Sequence, residues 1–355
     1  MAESIEYNEK DEVIDESAEE IIPYIYSITS YGADYPVDTI VKRLEKEVIL
    51  IPPFQRSYVW KINQASRFIE SLLLGLPVPG IFLSKEADGK LLVIDGHQRL
   101  KSLQFFYEGM FAGRTFKLVD VQQRYSGKTY KTLEEEDRTM LDDAIIHATI
   151  VKQDEPSDDN SSIYHIFERL NTGGNLLQPQ EIRACIFHGP FNDFLAELRT
   201  ISDWQKVYGA PSIRLKDQEL ILRFFALLLY SEKYQRPMKE FLNDYMGKNR
   251  TFKLHDQVTL RHKFTATMKV IATTLGKKAF RPERAINAAV FDAVMIGVAR
   301  RLYRGAIADS KAFVERYNEL LKDSKFMTAC LTATSDEKNV TERMRIASEY
   351  FEKVP

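Results

Sequence analysis

The spacing of apolar residues changes character along this chain. Up to about residue 153, helical spacings alternate with short apolar runs, and from Ile163 onward nearly every segment keeps a helical period. In the first part, Asp38 reads as the N-cap of a helix through IVKRLEKEV, and Asn63 as the cap of a second, NQASRFIESLLLG, stopped by Gly75 and Pro77. Between them, Pro52 and Pro53 end any strand in ILI and force an extended loop. GIFLSKEADGKLLVID predicts a hairpin turning at Asp88-Gly89, and a helix is predicted over residues 97–108. RTFKLVDV and AIIHATIVKQ predict two more strands around a helical stretch at EEEDRTMLDD, and residues 154–162 form a polar loop. Beyond it, SIYHIFERL, PQEIRACIF, FNDFLAELR, DQELILRFFALLLY, MKEFLNDYM, VTLRHKFTATMKVIATTL, PERAINAAVFDAVMIGVARRLY, SKAFVERYNELLK and NVTERMRIASEYFEKV all read as helices. The expected fold class is α+β: a small mixed domain over residues 35–153, then a helical domain over residues 154–355, with a tail at 1–34.

Composition refines this picture only at the ends. With 44% hydrophobic and 28% charged residues, a chain of 355 residues can bury a proper core. Its net charge of −2 hides an asymmetry: residues 1–25 carry nine acids against Lys10, a net of −8, which leaves +6 on the rest. Two readings of this stretch stay open: a solvated, partly disordered tail, or a tail that competes with an anionic ligand for the basic body. Cys185 and Cys330 supply no disulfide or zinc framework and are expected to be small buried hydrophobes. No apolar run reaches the length of a membrane span and no signal-peptide core is visible, so the expected location is cytoplasmic, with no membrane partner.

The chemistry concentrates in LVIDGHQRLKSLQFF, residues 92–106, where a strand breaks on Asp95-Gly96 and restarts as a helix. The first turn of a helix carries unpaired N–H groups and the positive dipole end, which together bind phosphate. Gly96 allows close backbone approach or positive φ, Arg99 on the first turn can fork two phosphate oxygens, and His97 and Gln98 can donate to phosphate or position a water. Asp95 has three open roles: holding Mg²⁺, orienting a nucleophile, or capping the helix. A second segment, PFQRSYVW, sets Gln55 and Arg56 among aromatics that read as core. A half-buried Arg56 would need an anionic partner such as phosphate at the 96–99 turn. In a third, FERLNTGGNLLQPQEIR, Asn171, Thr172 and Gly173 lie in an inter-helix loop able to close over a ligand, Pro179 suits a first helical turn, and Arg183 either reaches an anion or pairs with Glu181.

Together, IPPFQRSYVW, FIESLLLGLPVP, VIDGHQRLKSL and FERLNTGGNLLQPQEIR resemble the N-terminal domain of GmrSD-type modification-dependent restriction endonucleases, within the ParB/sulfiredoxin-like superfamily. The family pattern reads PxFQRxYVW, FIESLLLGxPxP, VIDGQQRLxxL and FxRLNTGGxxLxxQEIR, and the resemblance covers roughly residues 35–250. It implies a ParB-like nucleotide-binding domain in which the turn matched by Asp95, Gly96, Gln98 and Arg99 carries NTP hydrolysis. His97 departs from the family's glutamine. No metal-spaced His cluster of the HNH type follows; His255 and His262 are seven apart in a helical stretch.

The leading expectation is an NTPase-type sensor of a modification-dependent restriction or antiviral defence system, with ATP or GTP bound beside Mg²⁺ or Mn²⁺. In it Asp95, His97, Gln98 and Arg99 are catalytic, and Gln55, Arg56, Gly96, Asn171, Thr172, Gly173 and Arg183 bind nucleotide. The rivals are a non-catalytic nucleotide- or DNA-binding module that switches a partner nuclease, a phosphotransferase suggested by His97, and direct DNA nicking by the ParB-like domain. Modified DNA, a nuclease partner and a second copy of the chain are the expected partners. Candidate DNA-phosphate contacts are Lys277, Lys278, Arg281, Arg284, Arg300, Arg301 and Arg304, with a solvated helical face as the ordinary alternative.

Overall fold

The structure is a computed structural model and describes residues 28–51, 58–86, 88–153, 161–170 and 177–355. These fall into two compact units. One holds the described residues up to Leu177 together with Ala184–Ile186; the other holds Gln178–Arg183 and Phe187–Pro355.

The first unit is built on a five-stranded mixed sheet. In chain order it contains β1 (Ile28–Pro36), α1 (Val37–Glu45), β2 (Ile49–Leu50), α2 (Ile62–Leu73), β3 (Ile81–Lys85), β4 (Leu91–Asp95), α3 (His97–Glu108), a small hairpin of β5 (Met110–Phe111) and β6 (Arg114–Thr115), α4 (Glu135–Asp143), β7 (Ile145–Gln153) and α5 (Ser161–Leu170). Strand order is β1-β7-β3-β4-β2. Alternation along the strands puts Ile81, Leu83, Leu91, Val93, Ile146, Ala148 and Ile150 on one face, where they form a core with Ile40, Ile69, Leu100, Leu103 and Phe106 of α1, α2 and α3. On the opposite face α5 packs against β7 and β4. That contact groups α5 with the sheet, so the unit extends past residue 153 to Leu177.

The β3–β4 hairpin forms as its turn chemistry requires: Gly89 has φ +86° and the Lys90 amide donates to Asp88 Oδ1 at 3.0 Å. Other expectations are corrected. β1 opens at Ile28, inside the stretch assigned to the tail, and pairs antiparallel with β7 over all nine residues. Asp38 lies in the first turn of α1 and pairs with Lys42 at 2.7 Å, while Pro36 stands at the N-cap. α2 begins at Ile62, so Asn63 is inside it and the Gln64 side chain accepts from the Lys61 amide at 2.9 Å. Of RTFKLVDV only Arg114-Thr115 is strand. The acidic segment up to residue 27 lies outside the described residues.

The second unit is helical, and no strand among the described residues lies beyond Gln153. Its centre is α12 (Ala288–Leu302), buried from Ala288 to Ala299 and packed against α9 (Lys216–Leu229), α11 (Gln257–Thr274), α14 (Ser324–Leu331) and α15 (Glu337–Glu352). α12 starts six residues later than PERAIN suggests, because the Asn287 side chain caps it by accepting from the Val290 amide. Gly297 lets α15 approach closely: a Cβ there would stand 3.0 Å from the Ala347 backbone. Asp292 of α12 is wholly buried between Arg223 of α9 and Arg343 of α15, at 2.6 and 3.0 Å. Both cysteines are buried and free, as expected, and burial pushes the Cys330 thiol up to about 12. Among the described residues no helix is long and apolar enough to cross a membrane.

Candidate functional site

Gly96 forms the joint between β4 and α3. Its φ of +99° is a left-handed conformation, and a Cβ would lie 2.5 Å from Ile81 Cγ2. Only glycine satisfies both conditions. The turn therefore delivers the amides of Gln98 and Arg99 to the first turn of α3, where no carbonyl within the helix can reach them. Asp95 makes no cap. Its Oδ2 accepts from Arg99 Nη2 at 2.9 Å, and the same Nη2 donates to Gly80 O at 3.0 Å. The Arg99 side chain is only 15% exposed, against 47% for Asp95, and Arg99 Nε is buried without a hydrogen-bond partner among the described residues. A buried donor left unmade costs about 1–3 kcal/mol, which an arriving acceptor would recover.

Gln98 does something its sequence context did not suggest. Its Oε1 accepts from the amides of Val59 (3.1 Å) and Trp60 (3.2 Å), which fixes the orientation of the amide group and leaves Nε2 as the donor toward His97 Nε2 at 2.7 Å. His97 Nε2 is thus an acceptor, and the ring is the neutral tautomer with its proton on Nδ1. One turn on, Ser102 Oγ donates to Gln98 O at 2.8 Å, so at its 2.8 Å contact with Tyr58 the phenol is the donor. The Tyr58 ring packs edge-on against Phe105 and Phe111, and burial raises its hydroxyl's pKa. Two side chains of α3 therefore fasten residues 58–60, the end of PFQRSYVW, to the helix whose first turn is DGHQR. Val59, read as core, is 62% exposed. A double-mutant cycle of Tyr58→Phe and Ser102→Ala, read by denaturant unfolding, is expected to give a coupling of about 0.5–1.5 kcal/mol; additivity would mean the hydroxyls do not communicate.

The other expected site residues are dispersed. Gln55, Arg56, Asn171, Thr172 and Gly173 lie outside the described residues. Pro179 does open a helix, α6 (Pro179–Ile186), and the Gln178 amide donates to Glu181 Oε2 at 2.7 Å. Arg183 is taken out of any anion site and does not pair with Glu181: it is 1% exposed and spends its donors on Asn243 (2.8 Å), Gln180 (3.0 Å) and Glu219 (2.7 Å).

The basic set divides. Arg281 donates to Val207 O and Tyr208 O at the end of α8 (Ser202–Tyr208). Arg301 is buried on Val354 O and Gly305 O. Arg304 pairs with Glu352, and half-buried Arg300 donates to Ser348 while burial lowers its pKa. Arg281 and Arg301 are thereby used up as caps of the fold's own carbonyls, whereas Lys277, Lys278 and Arg284 stay exposed. Among the described residues no three His, Cys, Asp or Glu side chains are grouped to hold a metal ion.

Sequence reasoning passed over Ser102 and Tyr58, although Ser102 follows Gln98 at helical i+4 spacing. It also passed over the exposed pair His147–Asp34, Nδ1 to Oδ1 2.8 Å, on β7 and β1, which no local spacing connects.

No curated protein matches the chain. Residues 37–188 match the family described as GmrSD restriction endonuclease, N-terminal domain. That span contains the sheet from β2 to β7, the glycine joint and the anchored segment before α2, so the similarity to this restriction-endonuclease domain falls on the candidate site.

Proposed function

We propose that the first turn of α3 receives the phosphates of a nucleoside triphosphate, and that the protein hydrolyses it as the sensor component of a modification-dependent restriction system in the cytoplasm, in contact with DNA and a nuclease partner. The observation that carries this reading is Arg99. A mostly buried guanidinium whose Nε has no partner among the described residues lies beside first-turn amides that nothing within the helix caps. The anchored segment 58–60 supports it too, because Gln98 and Ser102 tie the end of PFQRSYVW to the same helix. Mg²⁺ or Mn²⁺ arriving with the triphosphate needs few protein ligands, and Asp95 fits: Arg99 occupies its Oδ2 and leaves Oδ1. Such an ion would neutralise phosphate charge, while Arg99 and the amides stabilise charge developing on the transferred group.

One observation favours the second reading, a nucleotide-binding module that switches a partner without turnover. Gln98 Oε1 is committed to two backbone amides and His97 Nε2 to Gln98, so neither stands ready to orient a water.

Calorimetry with ATP and GTP, paired with phosphate release with and without modified DNA, separates the two. Arg99→Ala is expected to weaken binding at least tenfold and to abolish release with the fold intact, because the Asp95 carboxylate it abandons is water-exposed. Wild-type binding and release by that variant would remove the α3 turn from the mechanism.

A further inference from the structure

A nucleotide held at α3 still needs a base, and the sheet provides one that no motif marks. We propose that His147, oriented by Asp34, is the general base that activates the attacking water in this site; the inference rests on the nucleotide-hydrolysing reading above.

The sheet order places β1, β7, β3 and β4 side by side. Asp34 faces His147 across β1 and β7, and Ile81 pairs with Ala148, so Gly80 lies beside His147. Phe82 pairs with Asp95. Asp34, His147 and Gly80 thus form one row at this end of the sheet, and Asp95 lies on the next strand two residues along, in the row of Thr149 and Phe82. His147 and Asp95 are two strand spacings apart across the sheet and two residues apart along it, roughly 12 Å between backbones. Side-chain parity puts them on one face. Ile146 and Ala148 point into the core, so His147 points away from it. β4 holds one extra residue where the pairing jumps from Leu83–Val93 to Phe82–Asp95, and this bulge turns Asp95 to the side of Phe82, which is that of Thr149 and His147.

The neighbour of His147 on β3, Gly80, carries no side chain, and neither does Gly32, which pairs with Thr149 and lies diagonally from His147. A Cβ on Gly32 would come within 2.9 Å of His147 Cε1, and one on Gly80 within 2.8 Å of His147 O. Gly80 also accepts from Arg99 through its carbonyl. Gly80, which accepts from the Arg99 guanidinium and lies beside His147, therefore sets no side chain of its own between the two.

His147 Nδ1 donates to Asp34 Oδ1 at 2.8 Å, which in the neutral imidazole leaves the lone pair on Nε2. Nε2 has no hydrogen-bond partner among the described residues, and the side chain is 60% exposed. Among the described residues the charged group in contact with it is Asp34 on β1, and the Asp95–Arg99 pair lies beyond β3.

In the step, water oxygen attacks the γ-phosphorus as its proton passes to His147 Nε2. The bond from that phosphorus to the bridging oxygen breaks, and its electron pair leaves with the nucleoside diphosphate. Inorganic phosphate departs, and the imidazolium returns its proton to solvent.

The test uses the full chain with ATP and GTP. His147→Ala is expected to lower kcat by about 100-fold or more with KM within about threefold. Added imidazole should restore turnover in His147→Ala and leave Arg99→Ala inactive. Asp34→Asn should lower kcat without being rescued. Unchanged kcat in His147→Ala overturns the proposal, and so does a loss that imidazole fails to restore, which would make the residue structural. If the wild-type chain releases no phosphate, hydrolysis itself fails; if Arg99→Ala is inactive while His147→Ala matches wild type, only the base is wrong.

Discussion

Asp292→Ala is expected to destabilise the helical unit by about 3–5 kcal/mol, the cost of breaking a buried ion pair from one side. Asp292, Arg223 and Arg343 are 0%, 2% and 0% exposed, so no water can replace the lost carboxylate. Arg223 reaches both its oxygens, Nε to Oδ1 at 3.0 Å and Nη2 to Oδ2 at 2.6 Å. Arg343 has a second hold on the Thr334 carbonyl, yet its Nε is already without a partner among the described residues. Removing Asp292 leaves two cations facing each other in a site that α9, α12 and α15 enclose. Denaturant unfolding followed by helical circular dichroism measures the loss. The complementary triple replacement of Arg223, Asp292 and Arg343 by apolar residues of similar volume is expected to recover most of it, since an apolar core has no charge to desolvate. A loss under about 1 kcal/mol for the single change would show that the cluster is not sealed as described.

Gly96→Ala is expected to cost the first unit about 2–4 kcal/mol and to remove nucleotide binding with it. Two effects add. The left-handed φ of +99° strains any residue with a Cβ, and that Cβ would overlap Ile81 Cγ2 at 2.5 Å. They separate experimentally: Gly96→Ala with Ile81→Ala relieves the overlap and keeps the backbone strain, so it should bind nucleotide better than Gly96→Ala alone, although Ile81 is itself core. Equal binding by Gly96→Ala and wild type would mean that the backbone at this joint need not come close to the ligand.

The two halves of the candidate site were not equally legible. Asp88-Gly89 and Asp95-Gly96 carry their geometry in adjacent residues, so the hairpin and the start of α3 could be read directly. β1 could not: its ITSYGADYP is mostly polar, exposed on one side, and is held by a partner strand more than a hundred residues later. α8 and α14 were missed because they are one or two turns long and offer too little periodicity. Gln98 was given to the reaction because a glutamine on a phosphate-type turn has donors to spare, and nothing nearby in sequence shows that the Val59 and Trp60 amides claim its oxygen. Arg183 was misread likewise, since Asn243 and Glu219 come from other helices.

Periodicity, turn chemistry and motif order are properties of short stretches, so the α+β and helical halves, the glycine joint at residue 96 and the resemblance over residues 37–188 were legible in the chain alone. Which polar groups are already spent came from packing. Arg99 is held by Asp95 and Gly80 with Nε unfilled, Gln98 is an anchor, Arg183, Arg281 and Arg301 are structural, and Asp34 meets His147. The reason is physical: a hydrogen bond saturates its donor and acceptor, and what saturates them depends on which strands and helices become neighbours, a choice made across the whole unit.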